Sequence, residues 1–135
     1  MAGGIEISGV SGFEAGIEAL KAAVDAATRL GVTSGAHLIE ANAKAQMNGP
    51  GPTVRTGTLR RSIGVVDTTS LGPGIWKSRI APTVIYGRIQ ELGGDAGINH
   101  SAHLRPRPYM QPGLNKSLPD LVGVFKAAWQ IALKA

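Results

Sequence analysis

Residues 13–47 read FEAGIEALKAAVDAATRLGVTSGAHLIEANAKAQM. No proline interrupts the stretch and ten of its residues are alanine, while Ile17, Leu20, Val24, Ala27, Leu30, Leu38 and Ile39 recur near three- and four-residue steps. That period places apolar side chains on one face of an α-helix, so the stretch predicts a single long amphipathic helix. Ser11-Gly12-Phe13-Glu14 has the S-x-x-E spacing in which serine and glutamate oxygens satisfy backbone amides at a helix start, so the helix is expected to begin there. Gly31 and Gly35 each cost about 1 kcal/mol relative to alanine, and any bend or interruption is expected at them. Asn48-Gly49-Pro50-Gly51-Pro52 ends the pattern.

Downstream of this stop the period changes. Thr56 is placed to cap a short turn through Leu59 and Arg60, and residues 62–69 (SIGVVDTT) are β-branched enough to predict a strand. Leu71-Gly72-Pro73-Gly74 is a turn cluster, and residues 75–81 (IWKSRIA) read as the returning antiparallel strand. Residues 83–92 (TVIYGRIQEL) begin β-branched but set Ile85, Ile89 and Leu92 at helical spacing, which suggests a strand end running into a short helix. Residues 93–107 (GGDAGINHSAHLRPR) show no period and are expected to be a mobile loop. A brief strand is expected at residues 108–110. After it, Leu114, Leu118, Leu121, Val122, Phe125, Trp129 and Leu133 mark an amphipathic terminal helix. That helix either starts with Ser117 as its cap and Pro119 in the first turn, or opens near Pro112 and kinks. The expected fold class is α+β: a long N-terminal helix, a small antiparallel sheet, and a C-terminal amphipathic helix packed on one sheet face. One domain is expected over residues 11–135, with residues 1–10 a flexible N-terminus.

Composition narrows the chemistry. The chain has 135 residues, 43% hydrophobic and 17% charged, which is enough apolar material for one core and too little charge for disorder. Its 19 glycines are roughly twice the usual share, so much of it is turn. The absence of cysteine excludes disulfides, thiolate nucleophiles and Cys-containing metal sites. Residues 1–10 carry Glu6 and no basic residue, and residue 2 is Ala2; secretory and N-myristoyl signals are therefore not expected, and the reading is of a protein assembled in a reducing cytoplasm. No run of about 18 apolar residues calls for a membrane span.

Candidate chemistry is sparse. His100 and His103 are three apart but have only Asp95 nearby, so they read as solvated loop histidines and no metal is expected. His37 has no catalytic partner in the sequence and reads as a surface or interface residue. No serine stands in a G-x-S-x-G or S-x-x-K context, no G-K-[ST] follows the glycine-rich stretch, and no spaced carboxylate pair suggests glycoside hydrolysis. Neither catalysis nor a cofactor is expected. The net charge of +5 leaves nucleic acid open, because Arg55, Arg60 and Arg61 flank one turn and Arg105 and Arg107 another. These five are the candidate DNA or partner contacts. Against that reading, there is no helix-turn-helix pattern, zinc module or aromatic stacking platform.

Three short segments, in order, carry a resemblance. They are Thr56-Gly57-Thr58-Leu59-Arg60-Arg61-Ser62-Ile63, Tyr86-Gly87-Arg88-Ile89-Gln90-Glu91-Leu92-Gly93 and Arg107-Pro108-Tyr109-Met110-Gln111-Pro112-Gly113-Leu114. Together they resemble the neck or tail-completion family of long-tailed bacteriophages, whose pattern is a T-G-x-L-R-x-S-I box, a Y-A-x-x-x-E-x-G box and an R-P-F-L-x-P-A-L box heading the last helix. Here Gly87 stands for the usual alanine, Tyr109 and Met110 for phenylalanine and leucine, and Gly113 for alanine. The resemblance spans residues 13–134.

It implies a structural virion protein of the head-to-tail junction: a ring of six copies contacting other neck proteins and the tail tube or terminator, with double-stranded DNA passing through it without sequence preference. It also implies location in the virion, after assembly in the host cytoplasm. The alternative is a small basic nucleic-acid-binding module.

Read from the residues themselves, the boxes are architectural. Gly57 and Gly93 are expected at backbone angles closed to other residues, and Pro108 and Pro112 to fix the approach to the last helix. Leu59, Ile63, Tyr86, Ile89, Tyr109 and Leu114 are core candidates. Glu91, between Ile89 and Leu92, is expected either to pair with Arg60 or Arg107 or to be solvated at a helix end.

Overall fold

The structure is a computed structural model that describes residues 4, 8–47, 49, 51, 52, 54 and 56–134. The first helix, α1 (Val10–Ala45), runs without interruption. It opens at Gly9, held at φ 86°, with no side-chain cap, so the Ser11-to-Glu14 spacing does not act as a capping box. Gly31 and Gly35 do not break it either. A β-carbon at residue 31 would lie 2.5 Å from the Phe125 ring, and one at residue 35 would lie 3.2 Å from Leu121. Both glycines are seats for large side chains of the last helix, and the packing they permit outweighs their poor helix propensity.

That last helix, α4 (Met110–Lys134), lies along α1 in the opposite direction. The contacts run from Gly113 against Ala43, through Leu121 against Gly35, to Phe125 against Gly31. One buried polar tie crosses the seam: Asn42 Nδ2 donates to Ser117 Oγ at 2.7 Å, and Ser117 Oγ donates to the Gly113 carbonyl at 2.7 Å. Ser117 is thus an interior residue and not the helix cap. The helix starts at Met110, in keeping with the alternative that it opens near Pro112, and no strand forms at residues 108–110. Pro112 falls in its first turn, where no N–H is needed, while Pro119 lies inside the helix and leaves the Asn115 carbonyl without its usual donor.

Strands β1 (Ile63–Gly72) and β2 (Ile75–Pro82) form an antiparallel hairpin that packs on α1, with Ile63 opposite Pro82, Val65 opposite Ile80 and Ser70 opposite Trp76. The alternation in β2 turns Trp76, Ser78 and Ile80 inward and leaves Ile75 out. Asp25 on α1 fastens the hairpin's far end. Its Oδ1 accepts from the Gly74 N–H at 2.8 Å and from Trp76 Nε1 at 3.0 Å, and the Arg29 guanidinium lies 5.4 Å from the Trp76 ring centre. Replacing Asp25 with alanine removes the acceptor for both donors at once. We expect a loss of about 1–2 kcal/mol and a red-shifted Trp76 emission in a Trp129→Phe background, with melting and fluorescence as the readouts.

Two short helices and a second hairpin complete the chain: α2 (Thr58–Ser62), α3 (Gly87–Leu92), β3 (Gly94–Ala96) and β4 (Ala102–Leu104). The segment expected as a loop at residues 93–107 therefore carries a small antiparallel ladder with Asp95 opposite His103. Its tip is built on left-handed residues, Gly97 at φ 84°, Asn99 at 57° and His100 at 53°. The class is the α+β arrangement expected, with a long first helix, a small antiparallel sheet and a packed terminal helix. Its fully buried centre is small: Ala43, Met47, Ile63 and Tyr109, with Val54, Leu59, Ile80 and Met110 against it. The expected N-terminal flexibility concerns residues 1–10, of which only Gly4 and residues 8–10 are described.

Candidate functional site

The three boxes, far apart in sequence, meet at the entrance to α4. Every α-helix starts with four backbone N–H groups that have no partner within the helix. In α4 these belong to Tyr109, Met110, Gln111 and residue 112. The last is proline and has no N–H, and a single carboxylate takes the other three. Glu91 Oε2 accepts from Tyr109 N at 2.7 Å and Met110 N at 2.9 Å, and Oε1 accepts from Gln111 N at 3.0 Å. The next amide, Gly113 N, begins the internal ladder by donating to the Tyr109 carbonyl. The accounting is complete, and the negative charge also lies at the positive end of the helix dipole. Glu91, half-buried at the end of α3, makes no ion pair with Arg60 or Arg107. Its partners are backbone amides, which carry no side-chain signal in the sequence.

Around this cap the second box grips the third. Tyr109, fully buried, donates its hydroxyl to the Gly87 carbonyl at 2.8 Å, and the Arg107 N–H donates to the Gln90 carbonyl at 2.7 Å. Glycine is required at residue 87 by space, since an added β-carbon would lie 2.5 Å from Pro82 Cγ. Gly93, at φ 70°, ends α3, and a β-carbon there would lie 2.7 Å from the Leu104 carbonyl oxygen. The first box closes the arrangement from beneath. Gly57 precedes α2 at φ 77°, Ser62 Oγ donates to the Leu59 carbonyl at 2.7 Å, and Leu59 and Ile63 pack into the centre that holds Tyr109. Thr56 does not occupy the cap position of α2, although its hydroxyl accepts from Thr58 N at 3.4 Å. Ile89 and Leu114 are half-buried and Pro108 is exposed. Tyr86, expected in the core, is instead 42% exposed.

Burial raises the ionisation of the Tyr109 phenol to about 12, with the nearby Glu91 charge adding to the effect. The folded state favours the neutral phenol, so this contribution to stability is intact below the usual tyrosine range near 10 and is lost as pH climbs from there toward 12. Titration followed by phenolate absorbance should accordingly show one tyrosine whose ionisation coincides with unfolding.

The arginines divide. Arg60, Arg105 and Arg107 line one cleft of about 800 Å³, together with Tyr86, Leu59 and Leu104. Arg61 is exposed and is not part of that lining, and Arg55 lies outside the described residues. Among the described residues, none of the three cleft arginines is held in an ion pair. Two of the three histidines are each engaged by a single carboxylate, His37 by Glu40 at 3.2 Å and His103 by Asp95 at 2.8 Å, while His100 is exposed at the tip of the second hairpin. Among the described residues no three acidic or histidine side chains converge on a metal-sized site, and no helix is long and apolar enough to cross a membrane. Comparison with protein-family models, with curated proteins and with solved structures gave no match.

One further feature was not anticipated, although its residues had been noted. In the register of the α1–α4 seam, the end of α4 lies level with about residue 22 of α1. The remaining turns of α1, about 18 Å of helix, extend past it. On a helix advancing about 100° per residue, Phe13, Ile17, Leu20 and Val24 continue the same face that Ala27, Gly31 and Gly35 present to α4. Phe13 is 71% exposed and Leu20 55%. Among the described residues, the turn of the first hairpin approaches this face: Pro73 and Gly74 wall a shallow apolar groove with Ile17, Leu20 and Val24.

Proposed function

We propose that this chain is a structural subunit that assembles with copies of itself into a ring at the head-proximal end of a long-tailed phage tail, where it joins tail to head and lets double-stranded DNA pass. The observation that carries the reading is the overhanging seam. A helical face that α4 covers along most of its length, and that leaves Phe13 and Leu20 largely exposed beyond the end of α4, is the expected surface of a subunit whose neighbour supplies further cover. A second apolar strip, Leu118, Val122 and Leu133 on the flank of α4, is also exposed. It differs from the α1 strip, and a contact between unlike surfaces propagates from copy to copy, giving a ring when the rotation closes and a filament when it does not. The ordered set of three boxes supports placing that ring in a phage neck. Their residues build the corner at which α4 begins, with Glu91 holding its first amides.

The test is a double substitution, Phe13→Glu with Leu20→Glu. Both side chains are already exposed in the single chain, so its melting midpoint should move by no more than about 2 °C. Removing two large apolar contacts from an interface should raise the concentration needed for assembly at least a hundredfold. Sedimentation velocity reads both states. Unchanged assembly would remove the seam from the interface.

A further inference from the structure

We propose that the cleft between α2 and the second hairpin binds an acidic, apolar peptide segment of a partner protein. The proposal does not depend on the ring. The cleft has a volume of about 800 Å³, within the range of specific ligand sites. Its chemistry is of two kinds. Arg60, Arg105 and Arg107 supply guanidinium groups and no acidic residue is part of its described lining, while Leu59 and Leu104 supply aliphatic surface and Tyr86 a half-open ring.

Nearby carboxylates are already committed. Glu91 is taken by the amides of α4, and Asp95 by His103, which also lines the cleft. The three arginines that line the cleft are exposed and have no ion-pair partner among the described residues. Planar guanidinium groups bind carboxylates through paired hydrogen bonds. A ligand that satisfies both kinds of surface must carry carboxylates and aliphatic side chains together, which an extended peptide of alternating character does. Nucleic acid fits less well. A duplex presents its phosphates on a convex surface too broad for a cavity of this size, and single strands need several stacking aromatics where this cleft has one tyrosine.

The probe is a fluorescein-labelled octapeptide alternating leucine and glutamate, followed by anisotropy on the full chain. We expect saturable binding that weakens with salt, and at least tenfold weaker binding of the leucine–glutamine counterpart. Arg60→Glu with Arg105→Glu should abolish binding, and lysine at both positions should restore part of it. Arg88→Glu, an exposed arginine on α3 outside the cleft, should leave it unchanged, with circular dichroism confirming that each variant is folded. Equal binding of the glutamine peptide, an equal loss with Arg88→Glu, displacement of the peptide by a 20-bp duplex at comparable concentration, or no binding at all would each overturn the proposal.

Discussion

Gly113→Ala lowers the melting midpoint by roughly 5–10 °C, whereas Gly123→Ala, the same change further along the same helix, leaves it unchanged or raises it. The two glycines have equal intrinsic propensity, so each substitution gains up to about 1 kcal/mol of helix stability. What differs is space. A β-carbon at residue 113 would lie 2.6 Å from both Cα and N of Ala43, and backbone cannot step aside as a side chain can; at residue 123 nothing lies within 4 Å. Forcing α1 and α4 apart at their closest approach also strains the Asn42–Ser117 tie one turn away. We expect a net cost of about 2 kcal/mol at residue 113. Gly31→Ala falls between the two, because the atoms it meets belong to the Phe125 ring, which can turn. If Gly113→Ala and Gly123→Ala shift the midpoint equally, the α1–α4 register described above is wrong.

Removing the Glu91 carboxylate has an effect of similar size for a different reason. Glu91→Ala strips the acceptor from three amides of α4 at once, and Tyr109 N and Met110 N are half-buried where water replaces it poorly. A helix cap is worth about 1 kcal/mol when one amide is satisfied, and this one satisfies three with a charge. The expected cost is about 2–3 kcal/mol, or roughly 10 °C in melting midpoint. Glu91→Gln recovers little of it, because only one of its two terminal atoms can accept. Hydrogen exchange gives the local readout: amides in the first turns of α4 should lose protection while those in the first hairpin keep theirs. If Glu91→Ala melts like the parent chain, the carboxylate does not hold the start of α4.

The long elements were legible because their periods are strong. Ile17 to Ile39 repeat as a helix and SIGVVDTT is rich in the β-branched residues that favour a strand, and both appear within a few residues of where they are expected. What escaped was set by partners distant in sequence. Gly31 and Gly35 look like breaks when propensity alone is weighed, and become seats once Phe125 and Leu121 are opposite them. The hairpin at residues 94–104 has few β-branched residues and relies on left-handed turns, so it left no periodic trace. Glu91 was visible as a carboxylate between apolar neighbours and needing a partner, but an arginine seemed the natural one. The true partners are amides, and an amide gives no sequence signal unless the helix start is known. The arginines of two boxes could be counted in sequence, but only the fold shows that Arg60, Arg105 and Arg107 share one cleft and that Arg61 does not.

The central claim is that this protein acts through assembly across a helical face on which, among the described residues, Phe13 and Leu20 stay largely exposed. Electron microscopy of the purified full-length protein tests it most directly. The account predicts closed rings in which residues 13–24 of α1 are covered by the adjacent copy. Solitary subunits at all concentrations, or rings in which Phe13 and Leu20 face solvent, would contradict it.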